Sequence, residues 1–179
     1  MTEIGAARDA FAGSIPDRDR FGPPDPGPNR RSAYRCGDTS VTTVSQSAGY
    51  SGTPLPRKLG IRAGSRALLD GAPESFALEP LPHGVTLHRR AGREPYDVIV
   101  TFCPDMATLT RRWAALHPRT TTPGALWVAW PKRAARMPTD LDENIVRDYG
   151  LTHGRVDVKV CAVDHTWSGL KFVIRLADR

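Results

Sequence analysis

Polar residues that could bind a ligand follow several apolar stretches of this sequence. Asp70 and Gly71 come directly after an apolar run, and Pro131 and Lys132 follow another. Carboxylates pair with cations and lysines hold anions, so a few such groups beside an apolar surface are typical of a ligand site. A later polar turn supplies a further carboxylate, a hydroxyl and an aromatic ring that is suited to covering a ligand. The candidate ligand-binding residues are Asp70, Gly71, Pro131, Lys132, Asp164, Trp167 and Ser168.

No catalytic residue is predicted, because the usual signatures of cofactor and catalytic sites are missing. The turn from Asp70 to Pro73 holds one Gly, whereas dinucleotide and S-adenosylmethionine sites generally need a Gly-rich turn after the first strand. The P-loop motif GxxxxGK[ST] and the GxSxG elbow are absent. The five histidines show neither HExxH nor Cys/His ligand spacing. The sequence therefore predicts no bound cofactor and no metal site.

Each candidate also has a simpler structural role. Asp105 is placed to begin a helix, and a carboxylate there answers its unpaired amide groups. Lys132 and His165 are typical of solvated turns, and Ser168 followed by Gly169 is typical of a hairpin bend. These structural roles are alternative interpretations to the ligand-binding hypothesis.

The stretch from Gly124 to Trp130 organises the predicted fold. It is apolar without an alternating polar face, and Pro123 and Pro131 bound it. Such a run predicts a central strand that is covered on both sides, as in parallel sheets. The β-branched and aromatic run from Tyr96 to Phe102 predicts a second strand of this kind.

One helix is predicted before the central strand in the sequence and another after it. Met106, Leu109, Trp113 and Leu116 recur at helical spacing and indicate a helix that ends before Pro118. After Pro138 a second helix is expected to begin at Thr139, with Asp142 completing a capping box. Its inner face would carry Leu141, Ile145 and Tyr149. Shorter elements are predicted at 53–61 (a short helix or turn), 65–70 (strand), 74–78 (helix) and 85–88 (strand).

The C-terminal segment has a different pattern. Residues 156–162 and 170–176 alternate apolar and polar side chains, which is typical of half-exposed strands. The link from Asp164 to Gly169 is short enough only for a hairpin, so these strands must be antiparallel. We therefore predict an α/β fold: a small Rossmann-like, methyltransferase-like sheet that is mostly parallel and has a C-terminal antiparallel hairpin. Its strands would bring the candidate residues to one edge.

Composition divides the chain into two parts. Residues 1–46 are rich in Pro and polar residues and hold equal numbers of Arg and acidic residues, so the formal charge of +6 belongs to the remainder. We expect a disordered Pro-rich tail at 1–46 and a single α/β domain at 47–179. Cysteines without CxxC spacing indicate a reducing compartment, and no apolar run is long enough for a membrane helix. A cytoplasmic location is expected.

Several stretches together resemble the DUF3052 family of uncharacterised, mostly bacterial proteins. The resemblance covers about residues 49–176 and depends mainly on Trp130-Pro131-Lys132, on 158–164 (VKVCAVD) and on 167–171 (WSGLK). It implies a shared fold and implies that these elements belong to one design. It implies no activity, substrate or catalytic residue.

The sequence favours a non-catalytic Rossmann-like binding or regulatory module over an enzyme. Its expected partner is an anionic small molecule or a protein segment at the edge that carries Lys132 and Trp167. One alternative is a divergent S-adenosylmethionine-dependent methyltransferase, with Asp70 near the cofactor and Asp164 or His165 as acid–base candidates. Another is a nucleic-acid-binding protein, which is disfavoured because the tryptophans lie in predicted core positions and the basic residues are scattered. The oligomeric state is open.

Overall fold

The computed structural model describes residues 52–179, which form an α/β domain. Three α-helices are present: α1 (Leu55–Leu59), α2 (Met106–Leu116) and α3 (Glu143–Thr152). Short 3-10 turns follow at His117–Arg119, Arg133–Ala135 and Leu176–Asp178. The strands are β1 (Arg66–Asp70), β2 (Thr86–His88), β3 (Tyr96–Phe102), β4 (Thr120–Pro131), β5 (Arg155–Ala162) and β6 (Trp167–Ile174).

The strands form a six-stranded sheet in the order β2-β1-β3-β4-β6-β5. The first four in this order are parallel, while β6 is antiparallel to both β4 and β5. The predicted fold class is therefore confirmed, including the terminal hairpin. Because β2 and β3 flank β1 on opposite sides, the chain changes direction along the sheet at β1, which is where open α/β sheets usually bind ligands.

Strand β4 is central, as its apolar sequence predicts. Leu126, Trp127, Val128 and Ala129 are all fully buried. Their side chains alternate between two hydrophobic clusters, one on each side of the sheet. We call the side that carries α1 the α1 face and the side that carries α2 and α3 the α2 face. The indole of Trp127 also donates to the carbonyl of Leu59 at 2.9 Å, which fixes α1 on its face.

The segment 74–78 is not helical, contrary to the prediction. It is a loop that turns through a hydrogen bond from the Phe76 amide to the Pro73 carbonyl and inserts Phe76 and Leu78 into the core of the α1 face. Packing of Phe76 and Leu78 in this core outweighs the local helical preference, and Pro80 ends the segment. For this reason no helix lies between β1 and β2. The connection from β2 to β3 has no helix either.

Helix α3 begins later than predicted and buries Val146 in place of Ile145, whereas Leu141 is buried and Tyr149 packs against the core as predicted. Asp142 is its N-cap, and its carboxylate accepts from the Ile145 amide at 2.9 Å. Thr139 instead bonds the Leu141 amide at 3.1 Å within the preceding turn. Val146 is buried while Ile145 is 38% exposed. The short carboxylate closer to the helix outcompetes the hydroxyl as a cap, so the helix begins at Glu143.

Other expectations have mixed outcomes. Cys103 is buried and Cys161 partly buried, both as free thiols. Within 52–179 no helix combines the length and apolar character that crossing a bilayer requires. The predicted tail at 1–46 lies outside the described residues.

Candidate functional site

The carboxyl ends of the parallel strands meet at one edge of the sheet, which we call the carboxyl edge. β1 ends there at Asp70, and β4 ends there at Pro131, which pairs directly with Trp167 at the start of β6. All of the candidate ligand-binding residues therefore lie along this edge. They do not form one pocket, because β3 and the segment that follows it stand between Asp70 and Pro131.

Asp70 is the centre of a polar cluster between β1 and β3. Its carboxylate accepts from the Thr101 hydroxyl at 2.9 Å and faces the Arg112 Nε atom at 3.2 Å. The Arg112 guanidinium also donates to the backbone carbonyls of Asp70 and Phe102. The side chains of Asp70 and Arg112 are about a quarter exposed, at 24% and 25%. An ion pair of this kind is partly shielded from solvent but remains within reach of a ligand.

Gly71 shapes the space in front of this pair. Its φ of +63° lies in the left-handed region that glycine adopts without strain. A Cβ at this position would overlap the Arg112 guanidinium. The turn after β1 thus forms a cradle without a side chain, and a cation of the protein lies in it.

Lys132 and Asp164 hold the hairpin turn in place. The Lys132 ammonium donates to the Asp164 carbonyl at 2.5 Å, and the Lys132 amide donates to the Thr166 carbonyl at 2.7 Å. The Asp164 carboxylate accepts from the amides of Thr166 and Trp167 at 2.7 and 2.6 Å. The side chains of Lys132 and Asp164 therefore both have structural partners. His165, which follows Asp164 in the turn, is exposed.

A separate cavity of about 310 Å³ adjoins the end of β4. Pro131, Lys132 and Ser168 line it, together with Asp142 at the start of α3. Trp167 does not, because its ring lies in the core of the α1 face, is 6% exposed and packs edge-to-face against Phe102 at 5.2 Å. The candidate residues thus divide between the Asp70–Gly71 turn, this cavity, the hairpin turn that holds Asp164, and the core that holds Trp167.

The end of β3 supplies no reactive group. Burial raises the pKa of the Cys103 thiol to about 11, so it remains protonated at neutral pH. Asp105 caps α2 by accepting from the Thr108 amide at 2.7 Å, and this hydrogen bond lowers its pKa. Asp140 accepts from the Met106 amide at 2.8 Å. Among residues 52–179 no cluster of His, Cys, Asp and Glu has the geometry of a metal site.

Arg112 is the functional candidate that sequence reasoning missed. In the sequence it stands beside Arg111 among basic residues that are scattered along the chain. A signal was present, because Leu109, Arg112, Trp113 and Leu116 follow the i, i+3, i+4, i+7 spacing of a buried helix face. An arginine within such a stripe must find polar partners inside the fold.

Comparison with solved structures finds chains that resemble this one only distantly, with TM-scores below 0.5. A ribosomal protein L11 methylase from Lactobacillus delbrueckii subsp. bulgaricus matches with 10% identity and a TM-score of 0.44, over 68% of this chain and 75% of that one. A DhpI–SAH complex matches with 10% identity and a TM-score of 0.47, over 68% of this chain and 82% of that one. No protein-family model matches the chain, and no curated protein does.

These comparisons correct two expectations. The sequence favoured a non-catalytic binding or regulatory module and predicted no cofactor. The similar solved structures are instead a methylase and a protein in complex with SAH, the demethylated product of S-adenosylmethionine. At one tenth identity the likeness concerns the fold.

Proposed function

We propose that this chain is a divergent, S-adenosylmethionine-dependent methyltransferase whose cofactor cleft is the Asp70–Gly71 turn. The observation that carries the proposal is the cradle at the end of β1, where a carboxylate and a glycine with positive φ enclose a cation. The sheet order supports it, since the turn lies at the switch point beside β1. The DUF3052 resemblance remains a proposal about family.

The residues of this turn fit the amino-acid part of S-adenosylmethionine in kind. Asp70 offers a carboxylate for an ammonium group, and Gly71 offers backbone that a ligand can approach closely. The Arg112 guanidinium presently satisfies the same carboxylate. When bound, S-adenosylmethionine supplies a methyl group on a positively charged sulfur. The Asp70 carboxylate would pair with the ammonium group of the cofactor, and the Thr101 hydroxyl would keep this carboxylate in place through its hydrogen bond.

Binding at this turn requires Arg112 to leave Asp70. A quarter of the Arg112 side chain is exposed, so the guanidinium has a route to solvent without unfolding α2. A ligand must compete with this internal cation, and its apparent affinity is reduced by the fraction of molecules in which Arg112 occupies the cradle.

Titration calorimetry with S-adenosylhomocysteine tests the proposal. We expect Arg112→Ala to bind about tenfold more tightly than the native chain, because an ion pair worth about 1.4 kcal/mol no longer competes. Arg111→Ala is the matched control, since it removes the neighbouring arginine, which is exposed, and we expect native affinity. Adding Asp70→Asn to Arg112→Ala should abolish the gain. Absence of binding to native and Arg112→Ala protein at millimolar ligand would refute the proposal.

A further inference from the structure

Like charges stand opposite each other on the hairpin. Lys159 on β5 and Lys171 on β6 are register partners, and Lys171 is in turn the partner of Trp127 on β4. Directly opposed cations on adjacent strands destabilise a sheet. The repulsion between Lys159 and Lys171 therefore lowers the stability of the folded hairpin.

The end of α1 adds further positive charge at the same place. The Lys159 ammonium donates to the Lys58 carbonyl at 3.3 Å, which brings β5 against the helix. A Cβ placed on Gly60 would lie 3.7 Å from the Lys171 ammonium, and Arg62 follows two residues later. We call Lys58, Arg62, Lys159 and Lys171 the basic cluster. It lies on the α1 face, away from the Asp70–Gly71 turn.

No carboxylate pairs with the basic cluster within residues 52–179, where every salt bridge involves other cations. Asp157, near Lys159 in sequence, is bonded to Arg147 at 2.9 Å. Asp97 is bonded to the Arg66 amide at 2.9 Å. Burial and then the charges of Lys159 and Arg62 lower the pKa of Lys171. No carboxylate among residues 52–179 therefore neutralises the opposed charges of Lys159 and Lys171.

The basic cluster borders a cavity of about 260 Å³. Arg62 and Lys171 line it, Ser65 provides a hydroxyl, and Gly60 provides backbone without a side chain in front of the Lys171 ammonium. Asp97 also lines it. The cavity is large enough for a phosphate or pyrophosphate group, and guanidinium and ammonium groups are the usual phosphate partners in proteins.

We propose that the basic cluster is a phosphate-binding site, in which a bound dianion relieves the repulsion between Lys159, Lys171 and Arg62. The phosphate comes either from a small free phosphate compound or from the backbone of an RNA. Both sources share the recognising chemistry, and their salt dependence separates them, since a backbone that covers several cations releases several counterions. The site is independent of the proposed methyltransferase activity.

Binding of pyrophosphate and of a short fluorescein-labelled single-stranded RNA to the full chain tests the site. We expect Lys171→Gln and Arg62→Gln each to weaken binding about tenfold, the loss of one charge-assisted hydrogen bond. The matched control is Arg90→Gln, which removes the same charge from an exposed loop and should leave binding unchanged. Tight pyrophosphate binding without RNA binding identifies a free phosphate ligand. RNA binding whose salt slope falls by about one in Lys171→Gln identifies a backbone.

A thermal melt separates a ligand site from a structural role. Lys171→Gln removes a repulsive pair, so we expect it to melt at the native temperature or above while it loses ligand. Arg62 is exposed, so Arg62→Gln keeps the test valid if Lys171→Gln were unfolded. The proposal is wrong if neither ligand binds the native chain, if the variants bind as the native chain does, or if Arg90→Gln loses as much affinity.

Discussion

Two arginines on the α2 face lie at opposite edges of the sheet and differ in their partners and in their exposure to solvent. Arg112 lies at the carboxyl edge, pairs with the Asp70 carboxylate and is a quarter exposed. Arg155 starts β5 at the amino edge and is 1% exposed. Its Nη2 atom donates to the His117 carbonyl and the Thr120 hydroxyl, each at 2.7 Å. Its Nε and Nη1 atoms have no hydrogen-bond partner within 52–179, and burial lowers its pKa.

The difference shows which arginine is available for function. Arg112 has a carboxylate that another cation could take over, and a quarter of its side chain is exposed to solvent. Arg155 contacts only neutral acceptors and is enclosed, so moving it would open the edge where β4 and β5 begin. A buried charge without a counterion is costly to the fold. Arg112 is therefore the exchangeable group, and Arg155 is a structural one.

The largest effect is expected at Arg155. Arg155→Ala leaves a cavity and removes the hydrogen bonds of the guanidinium to the His117 carbonyl and the Thr120 hydroxyl, which keep only their bond to each other at 2.8 Å. We therefore expect a loss of about 3 kcal/mol in the free energy of unfolding. Arg155→Met keeps the volume and removes the unpaired charge, so we expect it to stay within about 1 kcal/mol of the native chain. Urea unfolding measures both. Equal losses in the two variants would mean that the guanidinium is itself stabilising.

A smaller loss is expected at the carboxyl edge. Asp70→Ala leaves Arg112 without its carboxylate and Thr101 without its acceptor, at a cost of about 2 kcal/mol. The cost stays below that of Arg155→Ala because Arg112 can turn to solvent. Asp148→Ala is the control, since this exposed carboxylate makes no salt bridge within the described range. A native midpoint for Asp70→Ala in urea would show that the pair contributes nothing to the fold.

The smallest effect concerns pH and reports on Arg155 through His117. Burial and then the nearby Arg155 charge lower the pKa of His117 below 6.5. In the unfolded chain His117 takes up its proton near pH 6.5, before the folded chain does. Stability is therefore complete above pH 6.5 and falls as the pH drops through the folded pKa. His117 is exposed on one side, so the effect is small.

Comparing unfolding at pH 7.5 and pH 5.5 measures this effect. His117→Gln should flatten the difference partly, and Arg155→Met should reduce it as well because one cause of the shift is gone. An undiminished difference in His117→Gln would place the pH dependence elsewhere.

Much of the fold was predictable because residue composition and spacing over a few positions are sufficient to indicate its strands and helices. The β3 prediction, Tyr96 to Phe102, matches the observed strand, and α2 has its predicted bounds. Errors arose where neighbouring residues compete for one role, as Thr139 and Asp142 do for the cap of α3. They also arose where distant contacts override local preference, as in the loop that buries Phe76.

The candidate site was predictable only as an edge. Alternation of strands and helices is sufficient to bring Asp70, Pro131 and Lys132 to the ends of parallel strands, because such strands point the same way. It does not predict which of these residues contact each other. Only the packing of α2 showed that the Arg112 guanidinium lies in the cradle of Gly71.

By itself the sequence determined the α/β class, the buried central strand and the antiparallel hairpin, since periodicity and turn length act over a few residues. The tertiary structure decided the partners of the charged side chains: Arg112 with Asp70, Arg155 with neutral acceptors, and Lys159 opposite Lys171. Charges act through space, and neither their partners nor their isolation can be deduced until the strands have a register and the helices have a face.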